Sequence, residues 1–152
     1  MKIHIVLDNI RSVFNVGSIF RSADGAGHVE KIYLCGITAD IDNPKLEKTA
    51  LGATEMVHSE HYDTTEDALE EIRDMNIPIY SVELTEDAKN FQEVDYPDEL
   101  ALVFGHEKNG VDEKILEEFS TEEIMIPMRG LKESLNVANC ATTVLYEITR
   151  NS

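Results

Sequence analysis

Seven of the first 27 residues, Asn9, Arg11, Ser12, Asn15, Gly17, Arg21 and Gly27, gather polar side chains and glycine where a strand should pass into a helix. Amide and hydroxyl groups can orient a ligand, a guanidinium can clamp a phosphate or stabilise developing negative charge, and glycine lets backbone approach closely. In an open α/β sheet such handovers at carboxyl ends are where ligands bind. Val16, Ile19, Phe20 and Ala23 follow the i, i+3, i+4, i+7 spacing of a helix with one buried face. Asn15 stands where an N-cap would stand, and Arg21 falls on the opposite face. There it lies one turn after Gly17 and beside Ser18, two small residues that leave room for something bulky to approach the guanidinium.

Two later stretches have the same character. Gly105-His-Glu107-Lys-Asn-Gly110 follows the apolar run Leu100 to Phe104, and Pro127 to Asn136 follows Glu123 to Ile126. Familiar devices are excluded: no G-x-G-x-x-G follows the first strand, and neither G-x-x-x-x-G-K-[ST] nor G-x-S-x-G occurs. What remains is a crevice with one arginine, one glutamate, a few amide or hydroxyl groups and several glycines.

The elements that must carry these loops alternate. Strands are expected at Ile3 to Leu7, Lys31 to Cys35, Ile77 to Val82, Leu100 to Phe104 and Glu123 to Ile126, with a short sixth around Met56 to His58. Helices are expected at Asn15 to Ala26, Thr65 to Asn76, Asp112 to Phe119 and Leu135 to Thr149. Ala101 to Phe104, apolar on both faces, suits a central strand of a parallel sheet covered by helices on each side. The pattern is one three-layer α/β domain over residues 1–152. In a parallel sheet the carboxyl ends share an edge, so the loops after Leu7, Phe104 and Ile126 can meet.

The net charge of -17 argues at first against a nucleic-acid partner. Its distribution changes that. Residues 58–100 hold 14 acidic and 2 basic side chains, residues 112–123 hold 6 and 1, and the remainder balances at 10 against 10. Arg11, Arg21, Lys45, Lys48, Lys108, Arg129 and Lys132 therefore stay clear of the acidity, which reads as solvated faces. Cys35 and Cys140 have no metal-binding or redox spacing and read as buried thiols. His58 and His61, three apart, have no partners for a zinc set, so no metal is expected. With no signal segment and no membrane-span run, a cytoplasmic location is expected.

The three loops resemble, in residue type, order and spacing, the three motifs of the SpoU/TrmH family of RNA ribose methyltransferases in the SPOUT superfamily. Asn15, Gly17, Arg21 and Gly27 match the first motif, and Gly105, Glu107 and Gly110 the second. Ile126-Pro-Met128, Ser134-Leu-Asn-Val137 and the following helix match the third. The resemblance spans nearly the whole chain. It implies a mainly parallel sheet with a C-terminal trefoil knot, and S-adenosylmethionine held by the knotted loops. Val82, Gly105, Ile126, Met128, Ser134 and Leu135 would line that cofactor site, with backbone at Gly105 and Ile126 holding the adenine.

The implied reaction moves a methyl group from a sulfonium to a ribose 2'-hydroxyl in RNA, transfer RNA being favoured over ribosomal RNA. Arg21, Asn15, Glu107, Ser134 and Asn136 would carry it. Guanidinium is always protonated in proteins, so an electrostatic role for Arg21 on the adjacent phosphate and developing alkoxide fits better than that of a base. Asn15 and Asn136 would orient the ribose and loop groups. Glu107 would fix either Arg21 or a loop amide, and Ser134 would either hydrogen-bond in the site or cap the last helix. That helix carries small and apolar residues nearly all round, and the family pairs through this region, so a homodimer is implied. No separate RNA-binding domain is expected. The chain looks most like members that modify the transfer-RNA wobble nucleotide, although Lys48-Thr-Ala-Leu-Gly-Ala53 departs from them. Two other readings compete: a catalytically silent RNA- or protein-binding module, and a methyltransferase for a non-RNA substrate. The first sits badly with retained Arg21, Asn15 and Glu107; the second would suit the acidic surface.

Overall fold

A computed structural model describes all 152 residues. Seven strands form one sheet: β1 (Lys2–Asp8), β2 (Val29–Cys35), β3 (Ser59–Tyr62), β4 (Ile79–Val82), β5 (Lys89–Asn90), β6 (Glu99–Gly105) and β7 (Glu122–Met125). Their spatial order is β3-β2-β1-β6-β4-β7-β5, and every pair is parallel. The expected mainly parallel sheet is thus wholly parallel. Alternate residues of β6 feed opposite layers: Leu100, Leu102 and Phe104 join one apolar cluster, Ala101 and Val103 the other.

The larger cluster packs α1 (Val13–Ala26) and α6 (Val137–Thr149) on one face, and the smaller packs α4 (Thr65–Asp74) and α5 (Glu113–Glu118) on the other. Each helix begins where a side chain accepts from its first-turn N–H groups: Ser12 for α1, Thr64 for α4, Asp112 for α5 and Asn136 for α6. Asn15 is therefore not the cap of α1. It lies three residues inside, and its own N–H donates to Ser12 Oγ at 3.2 Å. Ser134 does not cap α6 either.

The least anticipated segment lies between β2 and β3. Asn43 caps a 3₁₀ turn at Pro44–Leu46, followed by the single turns α2 (Glu47–Ala50) and α3 (Ala53–Met56). Leu51 and Gly52, both at positive φ, separate the two. Met56 thus ends a helical turn, and pairing with β2 starts at Ser59 instead of at Met56 to His58. These turns dock on α1 at Gly17, where a Cβ would run into Thr49, the Leu46 carbonyl and the Ala50 N–H. The space over Gly17 is filled by the protein's own chain and is not open to a ligand.

Helix α6 buries Val137, Ala138, Ala141, Val144, Leu145 and Ile148, and leaves Asn139, Thr143 and Tyr146 exposed. It is amphipathic, not apolar all round. Cys35 is buried and Cys140 half-buried, and both are free thiols. No helix is long and apolar enough to cross a membrane.

Candidate active site

Strand order decides which loops meet. Because β4 lies between β6 and β7, the segments leaving these three carboxyl ends surround one cavity of about 350 Å³. Val82, Glu83 and Leu84 come from the end of β4, Phe104 to Gly110 from β6, and Met125, Ile126, Met128 and Glu133 to Val137 from the segment between β7 and α6. Val82, Gly105, Ile126, Met128, Ser134 and Leu135 all line it, as do Glu107 and Asn136.

Two glycines shape the β6 loop. A Cβ on Gly105 would collide with the backbone of Gly110 and Val111, so the loop closes on itself only without one. Gly110 has φ +70°, and a Cβ there would strike the Glu83 carboxylate. Glu83 Oε2 accepts from the Val111 N–H at 2.8 Å, tying the end of β4 to this loop. His106 Nδ1 accepts from the N–H groups of Lys108 and Asn109 at 3.1 and 3.3 Å, which places the proton of a neutral ring on Nε2. Glu83 and His106 both line the cavity, and neither stood out in the sequence. A glutamate beside a strand end has no pattern of its own, but the glycine that must accommodate it does.

Glu107 leaves the cavity rim to reach the loop after β1. Its carboxylate accepts from Ser12 N–H at 3.0 Å and Arg11 N–H at 3.1 Å. Of the two partners expected for Glu107, it takes loop amides and not Arg21. Burial pushes the Glu107 carboxyl up, but the N–H groups of Ser12, Glu107 itself and Arg11, with the Asn15 amide, outweigh that and hold it below the ordinary glutamate range. The third loop is tied in by Asn136, whose Oδ1 accepts from Ala138 N–H at 2.9 Å while its Nδ2 donates to Asn15 Oδ1 at 3.2 Å. The loop after β1 therefore contacts the cavity's neighbours without lining the cavity.

Arg21 lies apart. It is exposed on α1, pairs with no carboxylate, and does not line the cavity. The Cys140 thiol does reach the wall, where burial, with help from Glu83, pushes it up to about 11. It is a neutral wall group, not a nucleophile. His58 and His61 are exposed; His61 Nε2 donates to the Gly36 carbonyl at 2.9 Å.

The model of the SpoU rRNA Methylase family matches residues 2–146. Over 146 residues the chain is 32% identical to the tRNA (guanosine(18)-2'-O)-methyltransferase of Thermus thermophilus, covering 96% of this chain and 73% of that one. The solved structure of the TrmH/SpoU tRNA-modifying enzyme of Aquifex aeolicus superposes with a TM-score of 0.86 at 31% identity, covering 98% of this chain and 74% of that one. An AdoMet-bound rRNA methyltransferase from Sinorhizobium meliloti superposes with a TM-score of 0.90 at 25% identity, and there the chain spans 98% of itself but only 56% of its relative.

Proposed function

Because the chain belongs to the SpoU rRNA Methylase family, we propose that it transfers a methyl group from S-adenosylmethionine to a ribose 2'-hydroxyl in RNA, transfer RNA being favoured over ribosomal RNA. The observation that carries this reading is the convergence of all three motif loops: Glu107 joins the second to the first, and Asn136 joins the third to the first. The relatives named for tRNA 2'-O-methylation support the substrate, and the AdoMet-bound relative supports the methyl donor.

The cavity fits such a donor. Its volume falls within the range of small-molecule sites. Phe104, Ile126, Met128 and Leu135 offer an apolar wall for a base, and the lack of Cβ at Gly105 and Gly110 leaves backbone polar groups within a ligand's reach. Glu83 and Glu133 bring negative charge suited to hydroxyls or a cation. When bound, S-adenosylmethionine supplies an already electrophilic methyl group. Catalysis by the chain is then mainly placement of the hydroxyl. In this reading Val82, Gly105, Ile126, Met128, Ser134 and Leu135 hold the donor. Glu107 and Asn136 fix the loops, Asn15 and Ser134 orient the ribose, and Arg21 clamps the neighbouring phosphate and stabilises charge on the oxygen.

The same reading includes passage of the segment after β7 through a loop to form a trefoil knot. The return of that segment across the sheet, to set Asn136 against α1, supports it. It also includes a homodimer formed through α6, supported by the exposed stripe of Asn139, Thr143 and Tyr146, and a cytoplasmic location beside its RNA. The testing experiment supplies labelled S-adenosylmethionine with unmodified transfer RNA, ribosomal RNA and a protein mixture. Label at ribose in transfer RNA is expected. Label confined to protein, or none, would overturn the reading.

A further inference from the structure

A second depression adjoins the first, and Glu107 is the one residue lining both. It is walled by Arg11, Phe14, Lys45 and Lys48, with Ser12 and Val13 at its base. Phe14 stands 48% exposed on the first turn of α1, amid three cations. Arg11, Lys45 and Lys48 are all exposed, and none has a carboxylate within 4.0 Å, although the chain carries 30 acidic residues. Glu107 does not neutralise them, because both its oxygens accept from the backbone N–H groups of Arg11 and Ser12.

The arrangement is held in place. Thr49 Oγ1 donates to the Phe14 carbonyl at 2.8 Å, and Asn43 Oδ1 accepts from the Lys45 N–H at 3.0 Å. Gly17 admits α2 against α1, which brings both lysines beside the ring. Unpaired cations around an exposed aromatic ring are complementary to a phosphodiester and the base beside it.

We propose that this groove seats the single-stranded RNA beside the methylated nucleotide: a phosphate lies among Lys45, Lys48 and Arg11, and the adjoining base stacks on Phe14. The proposal rests on the RNA methyltransferase reading above and adds where the strand enters. Glu107 then separates strand from donor while belonging to the walls of both sites.

The test uses the intact protein and a fluorescein-labelled, mixed-sequence single-stranded RNA of about 20 nucleotides, with binding titrated across salt concentration. Lys45→Ala with Lys48→Ala should lower the slope of log affinity against log salt by about 0.7 per lysine. Phe14→Leu should weaken binding about fivefold or more with the slope unchanged. Lys114→Ala, which removes an unpaired cation from α5 instead, should change neither quantity beyond the effect of a distant charge. Calorimetric binding of S-adenosylhomocysteine and thermal melting verify that the variants are folded with an intact donor site. Unchanged slope and affinity in folded Lys45/Lys48 and Phe14 variants, with wild-type protein methylating RNA, would overturn the groove alone. Wild-type protein that binds the donor but neither binds nor methylates RNA would overturn both the groove and the functional reading.

Discussion

Asn136 Nδ2 donates to Asn15 Oδ1 at 3.2 Å across 121 positions of sequence, while the other end of the Asn136 amide caps α6. One side chain therefore fixes the start of the last helix and its attachment to the first. Loss of the cap in Asn136→Ala should cost about 0.5–2 kcal/mol. Asn15→Ala should cost less, and the two should couple by about 0.5 kcal/mol or more in a double-mutant cycle of urea unfolding. Strict additivity would show that the pair does not act as a unit.

Glu107 makes stability sensitive to acid in a defined direction. Its folded carboxyl is held below the ordinary range by N–H donors that an unfolded chain cannot supply together. Its contribution is therefore fully present above the unfolded value of about 4.3 and is lost as pH falls through the lower folded value. Urea unfolding of wild-type and Glu107→Gln proteins should show a gap at about pH 6 that narrows toward about pH 3. A gap independent of pH would refute the assignment. Methyl transfer should also fall in the variant, because the rim of the donor cavity loses its anchor to the β1 loop.

Arg21→Ala should separate folding from chemistry. The side chain is exposed and unpaired, so stability should stay within about 0.5 kcal/mol of wild type. Donor affinity should also hold, since Arg21 lies outside the cavity. Transfer to transfer RNA should drop by about 100-fold or more, the scale of losing one preorganised electrostatic group. Equal activity in the variant would remove Arg21 from the reaction.

Gly17→Ala should behave opposite to helix propensity. Alanine normally favours a helix over glycine by about 1 kcal/mol. Here its methyl group would enter Thr49 and the backbone of Leu46 and Ala50, and overpacking of this kind costs about 1–3 kcal/mol. A lower melting temperature is expected, together with weaker RNA binding as α2 shifts Lys45 and Lys48. Gly105→Ala should instead act on the donor, weakening its binding by calorimetry because the loop up to Gly110 can no longer close.

Periodicity made the main strands and four long helices legible, since buried faces impose it directly. Convergence of the loops after Phe104 and Ile126 was legible for the same reason: parallel strands share a carboxyl edge. The order of strands was not. Nothing local states that β4 separates β6 from β7, so the contribution of Glu83 and Leu84 came only from the assembled sheet. Caps were misplaced by a few residues because Ser12, Asn15, Ser134 and Asn136 are all competent acceptors, and only the tertiary path chooses among them. The turns between Pro44 and Met56 were missed because each is too short to show a period. Gly17 was read as open space for the same reason: its occupant was the unrecognised α2.

The two helical layers differ in sign as well as position. On one side of the sheet, α4 carries five carboxylates against one arginine and α5 three against one lysine. On the other, α1 and α6 together carry two carboxylates against Arg21. The molecule is thus a permanent electrical dipole across its own thickness. A polyanion arriving from the α4 side is repelled before contact, while one arriving from the α1 side meets little opposition. The fold sorts encounters by direction before any base is read, and it does so most strongly when salt is low.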